Sequence, residues 1–124
     1  MAKVLIVDND RTTVSLLKIL LELDGHTVEA ANHPARLLDD VRQAAPDVVL
    51  MDVFLTGGDG LDLLRRLRAE PDLSAIPVLM TSGMNLAEEC SEAGADGFLL
   101  KPYAPEQLTE ALQRTLVPKG KPAE

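Results

Sequence analysis

Short runs of aliphatic residues alternate with longer amphipathic segments along nearly the whole chain, and this alternation restricts the fold more than any other feature. Five such runs are bounded by polar or turn residues: Val4–Val7, Thr27–Ala30, Val48–Met51, Val78–Met80 and Phe98–Leu100. All but the second are apolar throughout, as expected of strands that are buried on both faces. Because parallel strands must be joined by crossovers, the alternation predicts an α/β fold: a doubly wound, five-stranded parallel sheet with helices on both faces.

The segments between the runs have apolar residues three or four positions apart, which is the spacing of one helix face. These residues are Val14, Leu17, Leu20 and Leu21; Leu37, Leu38, Val41 and Ala45; Leu61, Leu64 and Leu67; Leu86, Cys90 and Ala93; and Leu108, Leu112 and Leu116. The pattern predicts five helices. Arg65, Arg66 and Arg68 are expected on the solvated face of the third.

The length and charge of the chain exclude several classes of protein. A length of 124 residues suits one domain, expected over residues 1–117, with residues 118–124 as a flexible tail or linker stub. The net charge of −8 repels phosphate groups, so we expect no direct binding to nucleic acid or to an anionic membrane. The single cysteine excludes an internal disulfide. The first apolar run is too short for a secretion signal or a membrane span, so a cytoplasmic location is expected.

Polar side chains with catalytic potential follow four of the five runs. They are Asp8, Asn9 and Asp10 after the first run, Asp52 after the third, Thr81 and Ser82 at the end of the fourth, and Lys101 after the fifth. Ligands of open α/β sheets bind beyond the carboxyl ends of the strands, so these groups are expected at one edge. Carboxylate oxygens suit Mg²⁺, and a phosphoryl group beside them would be balanced by the metal, Lys101 and the Ser82 hydroxyl.

Each of these residues also has a purely structural interpretation. Asn9 or Asp10 is suited to cap the first helix, and Asp52 to form a turn before the glycine-rich TGGDG segment. Independent structural roles give no reason for two carboxylates, a hydroxyl and an ammonium to meet at one crevice. Their joint occurrence therefore favours a functional site.

Four stretches between Lys3 and about Leu116 resemble the receiver domains of response regulators. They are VLIVDND at the acidic pocket, PDVVLMDVFLTGGDGLDLLRRLR around the phosphoacceptor, IPVLMTSG at the switch hydroxyl and AGADGFLLKPY at the lysine. The resemblance implies the flavodoxin-like strand order 2-1-3-4-5. It also implies a two-component signalling module rather than a turnover enzyme, one that catalyses only its own phosphorylation and dephosphorylation.

The resemblance assigns a role to each residue of the predicted site. Asp52 is the expected phosphoacceptor, which takes a phosphoryl group from the phosphohistidine of a sensor histidine kinase or a phosphotransfer protein. Lys101 is expected to pair with the phosphoryl oxygens, and the peptide bond from Lys101 to Pro102 is expected to be cis. Ser82 and Phe98 are the expected switch residues. The implied Mg²⁺ ligands are Asp8, Asn9, Asp52 and the backbone carbonyl of Phe54. An output domain or a downstream protein is expected to respond to the switch.

Three features depart from the family's pattern. Asn9 stands where a second acidic residue is usual, which removes one negative charge from the metal site. Asp10 lies one residue further on, and the sequence leaves open whether it points inward. Thr56 replaces the usual proline, so the backbone of that loop is less restricted. The interval from Ser82 to Lys101 is shorter than usual, which predicts a fourth helix shortened by nearly a turn.

Two other functions remain open at this point. A degenerate receiver that binds partners without phosphorylation is favoured by Asn9 and opposed by the intact Asp52, Ser82 and Lys101. A flavodoxin-like or nucleotide-binding enzyme would need a Gly- or Ser-rich phosphate loop after the first strand, where this chain has three acidic or amide residues. The chain also has only two Phe, one Tyr and no Trp with which to stack a flavin.

Two large apolar residues flank the predicted site. Phe54 lies two positions after the expected phosphoacceptor, and Met84 lies two positions after the expected switch hydroxyl. In the receivers that the chain resembles, those that lose phosphate quickly have polar side chains at these two positions, and such side chains can orient water. Because neither residue here can hold a water for attack, we expect both to shield the aspartyl phosphate from hydrolysis.

Overall fold

The computed structural model describes residues 2–31 and 33–116, and the predicted parallel sheet is present in this part of the chain. The strands are β1 (Lys3–Val7), β2 (Thr27–Ala31), β3 (Val48–Asp52), β4 (Phe54–Leu55), β5 (Gly58–Asp59), β6 (Val78–Ser82) and β7 (Gly97–Leu100). Five of them form a parallel sheet in the order β2-β1-β3-β6-β7, while β4 and β5 form a separate antiparallel hairpin. Without the hairpin this is the expected 2-1-3-4-5 order. The expected domain end at residue 117 and the tail 118–124 lie outside the described residues.

The helices agree with the spacing of the apolar residues. They are α1 (Arg11–Leu23), α2 (Leu37–Ala44), α3 (Gly60–Ala69), α4 (Ala87–Glu92) and α5 (Pro105–Leu116). A 3₁₀ turn at Pro34–Arg36 leads into α2. The fourth helix, α4, is short, with six residues, and its shortening by nearly a turn relative to other receivers stays a prediction. None of the described helices combines the length and the apolar run that crossing a bilayer requires.

The sheet is buried on both faces because successive strand residues enter two different hydrophobic clusters. On β1, Val4 and Ile6 pack with residues of α1 and α5, whereas Leu5 and Val7 pack with residues of α2 and α3. All four side chains are almost completely buried. The helices thus cover both faces of the sheet and leave the carboxyl ends of the strands as the open edge.

Side-chain caps fix the starts of α1 and α3, and a left-handed residue fixes the end of α2. The Asp10 side chain accepts a hydrogen bond from the Thr12 N–H and begins α1, and Asp59 does the same for α3 through the N–H of Leu61. Ala45, expected within the second helix from its spacing, instead ends α2 in a left-handed conformation with φ of 45°. A left-handed residue at this position closes the helix because its N–H bonds back to the Val41 carbonyl.

Arg68 corrects the expectation of a fully solvated arginine face on α3. Its side chain is only 20% exposed and forms an ion pair with Asp96 at 2.8 Å. The same guanidinium donates to the backbone carbonyls of Gly94, Ser74 and Ile76. Arg68 therefore holds the loops before β6 and β7 against α3, a role that the helical period alone does not reveal.

Candidate functional site

The strand register aligns the carboxyl ends of the sheet at one edge. Val7 pairs with Met51 across β1 and β3, Asp52 pairs with Thr81 across β3 and β6, and Ser82 pairs with Leu100 of β7. The residues that follow these pairs are Asp8 and Lys101. The topology therefore brings side chains that are 93 positions apart in sequence to one place.

Lys101 bridges the two carboxylates at this edge. Its Nζ lies 3.1 Å from Oδ2 of Asp52 and 3.3 Å from Oδ2 of Asp8. The Asp8 side chain is 7% exposed and that of Asp52 is 15% exposed. Because both carboxylates are largely removed from water, the shared ammonium is the group that offsets their repulsion.

The charge state of Lys101 follows from its surroundings. Partial burial acts to lower the pKa of its ammonium, but the hydrogen bond to Asp52 and the charge of Asp8 outweigh that effect and raise the pKa above the usual lysine value. Lys101 is therefore protonated at neutral pH, and its positive charge lies next to both carboxylates.

Asp8 and Asp10 have different roles although they are two residues apart. Oδ1 of Asp8 accepts the Asp10 N–H at 3.0 Å, which orients the Asp8 carboxylate. Asp10 points to the helix instead: its carboxylate accepts the Thr13 hydroxyl and the Thr12 N–H, and these two bonds lower its pKa. The structure thus shows Asp10 as the cap of α1. Asn9, which lies between the two aspartates in sequence, is exposed.

The backbone after Asp52 is fixed by contacts on both sides. The Val53 N–H donates to the Thr81 carbonyl, and the Gly60 N–H donates to the Val53 carbonyl at 2.7 Å. A Cβ on Gly60 would lie 2.3 Å from the Asp52 carbonyl oxygen, so only glycine permits this approach. Gly60 is not among the site residues that the sequence predicts. The available signal is the glycine-rich TGGDG segment, of which Gly60 is the last residue.

Ser82 and Lys101 meet through the main chain of two neighbouring strands. The Lys101 N–H donates to the Ser82 carbonyl at 2.8 Å, and the peptide bond from Lys101 to Pro102 is cis, as the resemblance implied. The Ser82 side chain is fully buried, and its hydroxyl oxygen accepts the Met84 N–H at 3.0 Å. Ser82 therefore lies at the same edge as the acidic pair, with its hydroxyl bonded to the following loop.

Phe54 and Met84 lie at the mouth of this edge, each 58% exposed. The Phe54 N–H donates to Oδ1 of Asp52 at 3.4 Å, in the same two-residue arrangement that joins Met84 to Ser82. Phe98, the expected aromatic switch, is half-buried on β7 and packs against the cluster formed with α2 and α3.

The donor set at this edge fits Mg²⁺. Asp8 and Asp52 each place an oxygen within 3.3 Å of the same nitrogen atom, so the two carboxylates are close enough to share one cation. Among residues 2–31 and 33–116, no group of three or more His, Cys, Asp or Glu side chains is placed to hold a metal ion. A pair of carboxylates with a backbone carbonyl and waters is a donor set typical of Mg²⁺ and unlike the nitrogen and sulfur ligands of zinc sites.

Comparison with known proteins decides the family. The family model of the response regulator receiver domain matches residues 4–113. The chain belongs to this family. Receiver domains are signalling modules of two-component systems, so membership of the family favours the signalling hypothesis over a flavodoxin-like or nucleotide-binding enzyme.

Individual relatives support the same assignment. The response regulator MprA of Mycobacterium avium (strain 104) is 35% identical over 123 residues, which cover 97% of this receiver chain and 53% of MprA. The chain thus spans about half the length of that relative. The chemotaxis response regulator CheY4 of Vibrio cholerae matches with a TM-score of 0.85 and 30% identity, over 93% of this chain and 98% of CheY4. The BeF3-activated receiver domain of Klebsiella pneumoniae RstA matches with a TM-score of 0.85 and 25% identity, over the same shares.

Proposed function

We propose that this receiver accepts a phosphoryl group on Asp52 from the phosphohistidine of a sensor histidine kinase or a phosphotransfer protein. The observation that carries the proposal is the Lys101 ammonium, bonded to both Asp52 and Asp8 at the open edge of the sheet. A carboxylate oxygen of Asp52 attacks the phosphorus atom, the phosphorus–nitrogen bond breaks, and its electron pair returns to the imidazole of the donor. The products are an aspartyl phosphate and a neutral histidine.

Lys101 and Ser82 act on the charge that this transfer brings in. The ammonium of Lys101 is already within 3.1 Å of the accepting carboxylate, so little movement is needed for it to pair with a phosphoryl oxygen. Ser82 donates its hydroxyl proton to a second phosphoryl oxygen. Since the Ser82 oxygen also accepts the Met84 N–H, a shift of Ser82 toward the phosphoryl group pulls on the loop before α4.

Mg²⁺ is the cofactor that the donor set supports. Asp8, Asp52 and the backbone carbonyl of Phe54 would hold it, and the Asn9 amide oxygen would replace the usual second carboxylate. When bound, the ion neutralises the phosphoryl oxygens and lowers their repulsion from the acidic pair. The orientation of Asp8 by the Asp10 N–H supports its role as a ligand in place of Asp10.

The switch is a shift between two conformers, biased by whichever one the phosphoryl group binds better. Ser82 and Phe98 are the moving residues: when Ser82 moves inward, Phe98 on the adjacent strand can turn into the space beside it. The half-buried position of Phe98 supports this role because the side chain has both a buried and a solvent-facing environment within reach. An output domain or a downstream protein responds to the change. We place the module in the cytoplasm, without turnover activity beyond its own phosphorylation and dephosphorylation.

A protein donor is supported by an exposed apolar residue of α1 beside the site. Leu16 is 55% exposed, and further along the same helix Ile19 and Leu23 are 57% and 78% exposed. Leu16 and other α1 residues line one side of a groove, and Lys101 and Tyr103 also line it. Exposed apolar residues that adjoin a reactive group are typical of a protein interface, so a donor that seats here carries its phosphohistidine to Asp52.

Phosphorylation by a small donor tests the proposal. Acetyl phosphate with Mg²⁺ should add the mass of one phosphoryl group to the parent chain and to Asp62→Asn, a control at an exposed acid on α3. Asp52→Asn should remain unlabelled while its circular dichroism spectrum matches the parent's. An unlabelled parent chain would instead support the degenerate receiver that binds partners without phosphorylation.

A further inference from the structure

The sulfur atoms of the described chain differ sharply in their access to solvent. Met51, Met80 and Cys90 are completely buried, with no exposed fraction. Met84 is 58% exposed. A diffusible oxidant can therefore reach Met84 directly, whereas it reaches the other three only when the fold opens.

Met84 is also joined to the switch hydroxyl through its own backbone. Its N–H donates to the Ser82 oxygen at 3.0 Å, and only Gly83 separates the two residues. A Cβ built on Gly83 would meet no atom within 4 Å, so the backbone between the two residues borders open space. Met84 is therefore an exposed side chain whose own backbone is bonded to the switch hydroxyl, and a change in its polarity changes the surroundings of Ser82.

We propose that Met84 is an oxidant-sensitive residue whose conversion to the sulfoxide shortens the lifetime of the aspartyl phosphate. The inference rests on the proposed function, since it requires Asp52 to be the phosphoacceptor and Ser82 to lie beside the phosphoryl group. The oxidant is a peroxide. Oxidation then lowers the signalling output of the receiver without a change in its kinase.

The chemistry needs no further reactant. The thioether sulfur attacks one oxygen of hydrogen peroxide, a sulfur–oxygen bond forms and the oxygen–oxygen bond breaks. The departing hydroxide takes up a proton and leaves as water. Sulfur loses two electrons and peroxide gains them, so one methionine and one hydrogen peroxide give one sulfoxide and one water.

The consequence follows from the change in the side chain. A thioether is apolar and a weak acceptor, so it excludes water from the phosphoryl group. A sulfoxide has a strongly polar oxygen that accepts hydrogen bonds and orients a water molecule near its own position. The sulfoxide holds a water molecule but is a poor base. It therefore speeds loss of the aspartyl phosphate less than a carboxylate at the same position would.

Site-specific oxidation of the full chain is the first measurement. Hydrogen peroxide is added at a dose that gives on average one added oxygen per chain, and the oxidised residue is located by peptide mass mapping. Met84 should be oxidised well before Met51 and Met80. Oxidation of the two buried methionines at the same rate as Met84 would overturn the proposal.

Decay of the aspartyl phosphate is the second measurement. After labelling with acetyl phosphate, the peroxide-treated parent should lose phosphate faster than the untreated parent by at least about twofold. Peroxide should leave the decay rate of Met84→Leu unaltered, and Met84→Gln should decay faster than Met84→Leu without any peroxide. Equal decay in treated and untreated parent overturns the inference, whereas failure of the untreated parent to take up phosphate overturns the proposed function itself.

Discussion

At the scale of single residues, the site is a balance of two negative charges and one positive charge. Asp8 and Asp52 share the ammonium of Lys101, which leaves a net charge of −1 among these three side chains. A second acidic residue in place of Asn9 would make the surroundings of the metal more negative. The identity of residue 9 therefore bears directly on the affinity for a divalent cation.

The first prediction concerns this residue. Asn9→Asp should tighten Mg²⁺ binding on the order of tenfold, because an added carboxylate beside Asp8 attracts the cation and only part of that gain is lost to desolvation. Fluorescence of Tyr103 provides the titration signal: it is the single tyrosine in a chain without tryptophan, and it lines the same groove as Lys101. Gln43→Glu adds the same charge at an exposed position on α2 and should leave the titration unchanged. If both variants raised the Mg²⁺ affinity equally, the added charge would be acting at long range, and residue 9 would not be a ligand.

The second prediction concerns the two apolar residues at the mouth. Phe54→Asn together with Met84→Glu should speed loss of the aspartyl phosphate by roughly tenfold or more, because an amide and a carboxylate can position and activate water. The decay is followed after the phosphodonor is removed. Leu23→Glu, which places a carboxylate at an exposed apolar position of α1, is the control and should decay like the parent. Equal decay in the double variant and the parent would mean that Phe54 and Met84 only pack the loops.

At the scale of secondary-structure elements, the loops at the opposite end of the sheet from the site are held by one side chain. The Arg68 guanidinium bonds the loops before β6 and β7, and the Asp96 carboxylate that it pairs with also accepts the Val78 N–H at the start of β6. These contacts fix the start of the two strands whose far ends carry Ser82 and Lys101. The stability of this network therefore contributes to the position of the switch residues.

The third prediction tests this element. Arg68→Leu should lower the free energy of unfolding by about 2–4 kcal/mol, because it removes a largely buried ion pair and three backbone hydrogen bonds. Arg66→Leu is the matched control on the same helix: its ion pair with Asp62 is more than half exposed, and the expected loss is about 0.5 kcal/mol or less. Urea unfolding measures both. A loss as small for Arg68→Leu as for Arg66→Leu would contradict the role assigned to Arg68.

At the scale of the whole molecule, the sequence predicted those features of the fold that depend on local periodicity. Strands, helices and the strand ends that carry the site could be located because apolar runs and helical spacing are local properties. The resemblance supplied the strand order, and the spacing of Leu86, Cys90 and Ala93 predicted a short fourth helix, which the structure has as the six-residue α4. Asp8, Asp52, Ser82 and Lys101 were named correctly as residues of one edge because parallel strands bring their carboxyl ends together.

What the sequence did not predict depends on contacts between distant segments. Asp10 had two interpretations, metal ligand or cap, and only the position of Thr13 in α1 decides between them. Arg68 was assigned to solvent because the period of a helix does not show which loops pass over it. Gly60 was missed for the same reason, since its close approach to the Asp52 carbonyl exists only in the folded chain.

The most direct measurement identifies the residue that carries the phosphoryl group. The full chain is treated with acetyl phosphate and Mg²⁺, reduced with borohydride so that an aspartyl phosphate becomes homoserine, and mapped by peptide mass spectrometry. We expect homoserine at position 52, and none when Mg²⁺ is removed by a chelator. Homoserine at another aspartate, or an unmodified chain in the presence of Mg²⁺, would contradict this expectation.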